Sequence, residues 1–277
     1  MKLLSEAIKI PHRRERNLLA FVILSTFLLL LLYHKDVWRP VQYWLLVNGS
    51  ILFIIPLLSL TFFTKKKSAP AQISAAALIA IIIALLFVID AQHVLFSKMK
   101  QLSMVLPVGG IMIAVTACVL FWGRIDIRET GMRVGKIKFW LPITVIFFAF
   151  MVPIIYWAST MPEFQKTYPM LPLAKKGAMG FIAAEISFGV FFIFWEYFFR
   201  GYMLFVLEKR TGFLIANLLQ ATAFAFMHLG KPELEVYSSL AGGLIIGWLC
   251  YRSRSFLPAF FIHWGIQTAM DLFAVVR

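Results

Sequence analysis

Apolar residues run nearly unbroken through this chain, and the polar interruptions between the runs are short. Nine runs stand out, at roughly 18–33, 43–63, 73–90, 103–122, 139–157, 181–207, 211–229, 236–251 and 255–275. A helix needs about 20 apolar residues to cross the hydrocarbon of a bilayer. A transmembrane barrel would instead alternate apolar and polar residues in short segments. The pattern therefore predicts an all-α, polytopic transmembrane helical bundle of about eight to nine spans, without a separate soluble domain. The run 236–251 is short and holds Gly242, Gly243 and Gly247. If it is re-entrant rather than spanning, the C-terminus moves to the other side.

Charge orients the bundle. Of 27 Lys and Arg, 17 fall in the segments that a cytoplasmic N-terminus places inside: 1–17, Lys65–Lys67, 123–138, Lys209, Arg210, Arg252 and Arg254. This bias follows the positive-inside rule and predicts a cytoplasmic N-terminus. The formal net charge of +14 lies mainly between spans. Its expected partner is therefore the anionic surface of the lipid bilayer, not nucleic acid. Residues 1–17 form a basic N-terminal segment. The run 18–33 is followed by His34-Lys35-Asp36 rather than a small-residue cleavage site, so it reads as an uncleaved first span. Cys118 and Cys250 lie in apolar runs and read as packing residues. The segment 158–180, with Pro162, Pro169 and Pro172, reads as an outer loop or interfacial helix able to cap a cavity.

Against this apolar background, Glu196, His228 and His263 stand out. A charged side chain at the centre of a bilayer costs from about 3 to over 10 kcal/mol, and such residues usually face a bundle interior or a wet cavity. One glutamate with two histidines is also a set that activates water near neutral pH. Arg200 follows Glu196 by four residues, about 40° around a helix, so the two share a face. They can be a self-neutralising structural pair or a carboxylate held for chemistry. Glu185 lies on nearly the same face, about 16 Å away along the axis, too far to share a substrate atom. Glu233 and Glu235 follow the turn at Pro232 and can fold back over His228. Asp271 reads as a residue near the exit of the last helix. Asp90 and His93 read as an interfacial polar cluster.

Three motifs, Glu196-xxx-Arg200-Gly201, Phe224-xxx-His228 and His263-xxx-Gln267, resemble those of the CAAX-protease and bacteriocin-processing (abortive-infection) family of intramembrane endopeptidases. The likeness covers about residues 180–275. It divides the chain into the N-terminal segment 1–17, transmembrane helices without a matched motif at 18–157, and a protease-like core at 181–275. Two positions depart from the family pattern. The first motif ordinarily has two adjacent glutamates, and Trp195 stands where the first would be. The third motif ordinarily ends in asparagine, and here Gln267 carries the amide one methylene further out.

The resemblance implies hydrolysis of a peptide or protein substrate in or near a bacterial cytoplasmic membrane. Glu196 and His228 would activate water, His263 and Gln267 would steady the oxyanion, and Arg200 would keep the carboxylate ionised. Indole offers only a donor, so Trp195 cannot be a base. Glu196 itself, then Glu235 or Glu233, are the acids that could serve instead. A metalloprotease variant would hold a divalent metal such as zinc on His228, His263 and Glu196. Two other readings stand beside this one. The first is a non-catalytic scaffold or regulator, motivated by Trp195. The second is a proton-coupled transporter, for which the chain lacks the internal repeats common in that class.

Overall fold

The computed structural model describes residues 126–228 and 231–277. The expectations for the segment 1–17, the first four spans, Lys65–Lys67, Asp90, His93 and Cys118 lie outside these residues, as does the total of eight to nine spans. Among the described residues there are helices and no strand. After a short 3-10 turn at Ile127–Thr130 come α1 (Ile137–Ala158), α2 (Pro162–Thr167), a second 3-10 turn (Pro172–Lys175) and α3 (Gly177–Glu196). A π-helical segment (Tyr197–Met203) joins α3 to α4 (Leu204–Thr211), and then follow α5 (Phe213–Phe226), α6 (Glu233–Ser253) and α7 (Leu257–Val276).

Among the described residues, four stretches are long and apolar enough to cross a membrane: Ile137–Ala158, Gly177–Lys209, Glu233–Ser253 and Leu257–Val276. Their outward faces are apolar, as lipid requires. Met179, Ile182, Ile186, Val190 and Ile193 form an exposed stripe along α3, spaced three or four residues apart. Ile146, Phe150, Ile154 and Trp157 do the same on α1.

The run 236–251, expected to span, belongs to a continuous helix of 21 residues that is long and apolar enough to cross. One expectation changes. The short element is α5, whose 14 residues reach only about 21 Å. It ends at Phe226, so His228 sits in a turn instead of at the far end of a full span. The segment 158–180 carries α2 and the second 3-10 turn. It tucks Phe164, Tyr168, Leu171 and Ala174 into the protein.

Helices in lipid gain little from the hydrophobic effect between themselves, so close packing and polar contacts must hold them. The α5–α6 seam uses both. Gly243 lies so close to Ala221 that a Cβ on the glycine would stand 3.1 Å from the alanine Cβ. Asn217 donates from Nδ2 to Leu244 O at 2.9 Å, and Gln220 from Nε2 to Gly243 O at 3.0 Å. At the other end, Gly131 lies in the left-handed region (φ 78°) against the ring of Phe205. Lys136 N donates to Ser253 O at 2.9 Å, tying the α6–α7 turn to the segment before α1.

The seam yields a paired prediction. A Cβ at Gly247 would fall 2.0 Å from Asn217 Oδ1 and 2.4 Å from Gln220 Nε2, whereas one at Gly242 would meet nothing within 4 Å. Gly247→Ala should therefore lower stability by about 1–3 kcal/mol through overpacking, and Gly242→Ala should not. Thermal unfolding of the two variants in detergent checks this, and equal melting temperatures would contradict it.

Candidate active site

The site begins with a local irregularity. The π-helical segment interrupts an otherwise continuous helix directly after Glu196, and such single-turn interruptions concentrate at functional sites. A Cβ at Gly201 would lie 2.5 Å from the Tyr197 ring, so this turn requires a glycine there. The Tyr197 hydroxyl is anchored to Thr130 Oγ1 at 2.6 Å.

Glu196 and Arg200 are 1% and 0% exposed. Arg200 donates from one terminal guanidinium nitrogen to Glu196 Oε2 at 2.8 Å. The guanidinium carbon lies 3.7 Å from the centre of the Phe224 ring, a cation–π contact in a dry setting. The other carboxylate oxygen, Oε1, accepts from His263 Nδ1 at 2.5 Å. Both oxygens of Glu196 are thus engaged by cationic or ring donors on two helices.

His228 reaches the same place from the turn after α5. Its Nδ1 donates to Phe224 O at 2.9 Å. A carbonyl has no proton to give, so the hydrogen is on Nδ1 and the lone pair of neutral His228 is on Nε2. The rings of His228 and His263 stack with centres 5.9 Å apart and planes 26° from parallel. Phe224 touches both, at 4.4 and 5.5 Å. Phe192 closes on His263 at 4.1 Å. One aromatic ring therefore meets the arginine and both histidines. The shortness of α5 is what brings His228 to the depth of His263.

The remaining expected residues lie around this centre. Gln267, one turn beyond His263, is buried with its amide facing Asp271, and its Nε2 has no hydrogen-bond partner. Trp195 is 7% exposed and packs on Phe191, Phe199 and Phe224. Its indole nitrogen is buried without a partner. Glu235 turns inward from the first turn of α6, whereas Glu233 is exposed.

Glu235 belongs to a cluster that sequence reasoning missed. Its Oε2 accepts from the Tyr168 hydroxyl at 2.7 Å, and its Oε1 pairs with Lys231 at 3.2 Å. Lys231 also donates to the Tyr168 oxygen at 2.9 Å. Burial, and then the negative charge of Glu235, push the Tyr168 phenol well above its ordinary value, so it remains a donor. The cluster straps the segment after α2 across the turn that carries His228. Tyr168 gave no signal in sequence beyond its place in the expected capping segment.

Among the described residues no three His, Cys, Asp or Glu side chains are grouped to hold a metal ion. The trio His228, His263 and Glu196 is not such a group, and the two oxygens of its carboxylate accept hydrogen bonds from Arg200 and from His263.

The comparison with protein families bears directly on this arrangement. Residues 138–269 match the family model described as Type II CAAX prenyl endopeptidase Rce1-like. This is the CAAX protease family that the three motifs resemble. The match takes in Glu196, Arg200, His228, His263 and Gln267. It begins earlier than the motifs, including nearly all of α1, and stops before Asp271. Searches of curated proteins and of solved structures found no match. With four helices of crossing length, the match to a CAAX protease family supports an integral membrane protein of the intramembrane endopeptidase type.

The buried ion pair can be tested separately from activity. Removing one partner of such a pair leaves an uncompensated charge and costs about 3–5 kcal/mol. Arg200→Ala should lower stability by that amount. Arg200→Lys should recover part of it, because it restores the charge but not the flat contact with Phe224. Melting curves in detergent measure both. A wild-type curve for Arg200→Ala would mean that the pair is not structural.

Proposed function

We propose that this protein is an intramembrane endopeptidase that hydrolyses a peptide bond in or near the bilayer with water activated by the Glu196–His263 pair. The observation that carries this reading is the His263 Nδ1 to Glu196 Oε1 contact at 2.5 Å, with the His228 ring stacked alongside. Glu196 fixes the tautomer of His263 with the hydrogen on Nδ1, leaving Nε2 to take a proton from water. This is the logic of a carboxylate behind a catalytic histidine. Glu196 is then a positioning residue that acts through His263, with Arg200 on its other oxygen.

His228, also with its lone pair on Nε2, is suited to hold the same water or to hand a proton to the leaving amine. Gln267, one turn beyond His263, stands at the family's amide position and is the candidate oxyanion donor once its amide turns from Asp271 toward bound substrate. Such donors contribute about 3–4 kcal/mol to transition-state stabilisation. Glu235 is the reserve acid. Its charge reaches His228, although Lys231 and Tyr168 already engage it. The substrate is a peptide or protein segment at the membrane, as the family match implies. A bacterial cytoplasmic membrane, with a cytoplasmic N-terminus, is the compartment we propose.

Trp195 supports one second reading, a non-catalytic relative that keeps the fold as a scaffold or regulator. The two readings part in a membrane-peptide cleavage assay with purified protein. On the enzyme reading, His263→Ala and Glu196→Gln each lower cleavage by about 10²- to 10⁴-fold, the usual worth of general acid–base catalysis. His228→Ala also lowers it, while Glu235→Gln keeps most activity if Glu235 is structural. Wild-type protein inert toward substrates that an intact relative cleaves, with unchanged cellular phenotype in all four variants, would favour the scaffold.

A further inference from the structure

A second polar cluster lies where α3 and α7 cross, away from the paired histidines. Its members are Glu185 on α3 and Trp264, Gln267, Thr268 and Asp271 on α7, positions spaced so that they share one helical face. Thr268 Oγ1 donates to Glu185 Oε2 at 2.6 Å, and Trp264 Nε1 donates to Glu185 O at 2.9 Å. Asp271 Oδ1 accepts from Met170 N at 3.3 Å, drawing in the segment before the second 3-10 turn. The two carboxyl groups meet each other.

One oxygen on each carboxyl has no donor. Glu185 Oε1 and Asp271 Oδ2 are both buried and unpartnered, and the residues are 6% and 0% exposed. Two ionised carboxylates in contact would leave both oxygens orphaned and place two like charges in a membrane interior. Each of those faults alone is costly. A single hydrogen between the two oxygens removes both. Among the described residues no cationic side chain is paired with either carboxyl. Tyr168 senses Asp271 and is itself bonded to the Glu235–Lys231 pair. Gln267, 5% exposed, turns its amide toward Asp271, so the side chain that faces this carboxyl from one turn away is neutral and cannot cancel a second negative charge.

We propose that Glu185 and Asp271 form a buried proton-binding site, in which one hydrogen shared between Glu185 Oε1 and Asp271 Oδ2 clamps α3 to α7. These two helices carry Glu196 and His263, so the clamp holds the Glu196–His263 contact in register. The inference does not require that the protein cleave peptides.

Infrared spectra of the purified full-length chain in detergent at neutral pH provide the test. Wild type should show a protonated-carboxyl C=O band that is lost in both E185Q and D271N. The amide of either variant can donate to the remaining carboxylate, so both should keep melting temperatures close to wild type, whereas E185A and D271A should melt earlier. Absence of the band in wild type overturns the proposal without any variant. Survival of the band in E185Q and D271N also overturns it, because the proton then belongs to another group. A third arm compares sodium chloride with the chloride of a bulky organic cation at equal ionic strength. A wild-type melting temperature that rises only with sodium would mean that a cation bridges the carboxylates, which also overturns the proposal. An intact band with no cleavage activity would count against the proposed function and leave this site standing.

Discussion

A single carboxylate placed deep among apolar helices sets the terms for the rest of this structure. Glu196 cannot be left alone in such a place, so one oxygen takes Arg200 from the next turn and the other takes His263 from α7. Arg200, itself fully buried, is received on the face of Phe224. Phe224 also stacks with His228. The requirement to satisfy one charge thus draws together α3, the π-helical turn, α5 and α7. The chemistry proposed for the site follows from the same satisfaction. A carboxylate with both oxygens engaged orients a neighbour, and it does so in a low dielectric where that orientation is strongly enforced.

The same rule operates along the rest of the α3–α7 crossing. Glu185 and Asp271 sit in contact with no cation paired to them among the described residues, and the hydroxyl of Thr268, the indole of Trp264 and the backbone of Met170 supply donors instead. One crossing therefore contains a carboxylate resolved by charge pairing and a carboxyl pair that is best resolved by sharing a proton. Between helices that gain little from apolar contact in lipid, such polar fastenings, with close approaches such as Gly243 to Ala221, confer much of the specificity of packing.

Several features were readable from residues alone. Glu196, Arg200, His228 and His263 were visible because charge and imidazole are conspicuous in apolar runs, and their i, i+4 spacings carried a family resemblance that the match over 138–269 supports. Helices α1, α6 and α7 fall close to the expected runs 139–157, 236–251 and 255–275. Their boundaries shifted by a few residues because apolar length says where a helix fits in lipid, not where its last hydrogen bond closes. The Tyr168–Lys231–Glu235 strap was not readable, since Tyr168 lies 63 and 67 residues from its two partners and none of the three is unusual for a loop. Asp271 looked like an exit residue because pattern gives depth along a helix but not the neighbour opposite.

The sequence by itself determined that the chain is helical and membrane-embedded, because an apolar run of crossing length leaves the backbone no partner but itself. It also determined which few side chains could not face lipid. Only the tertiary structure decided how those side chains are satisfied. Whether Glu196 meets water or His263, whether Asp271 meets solvent or Glu185, and whether His228 lies at the depth of His263 all depend on the crossing of α3 with α7 and on α5 ending at Phe226. Those are distances between elements far apart in sequence, and hydropathy has no term that encodes them.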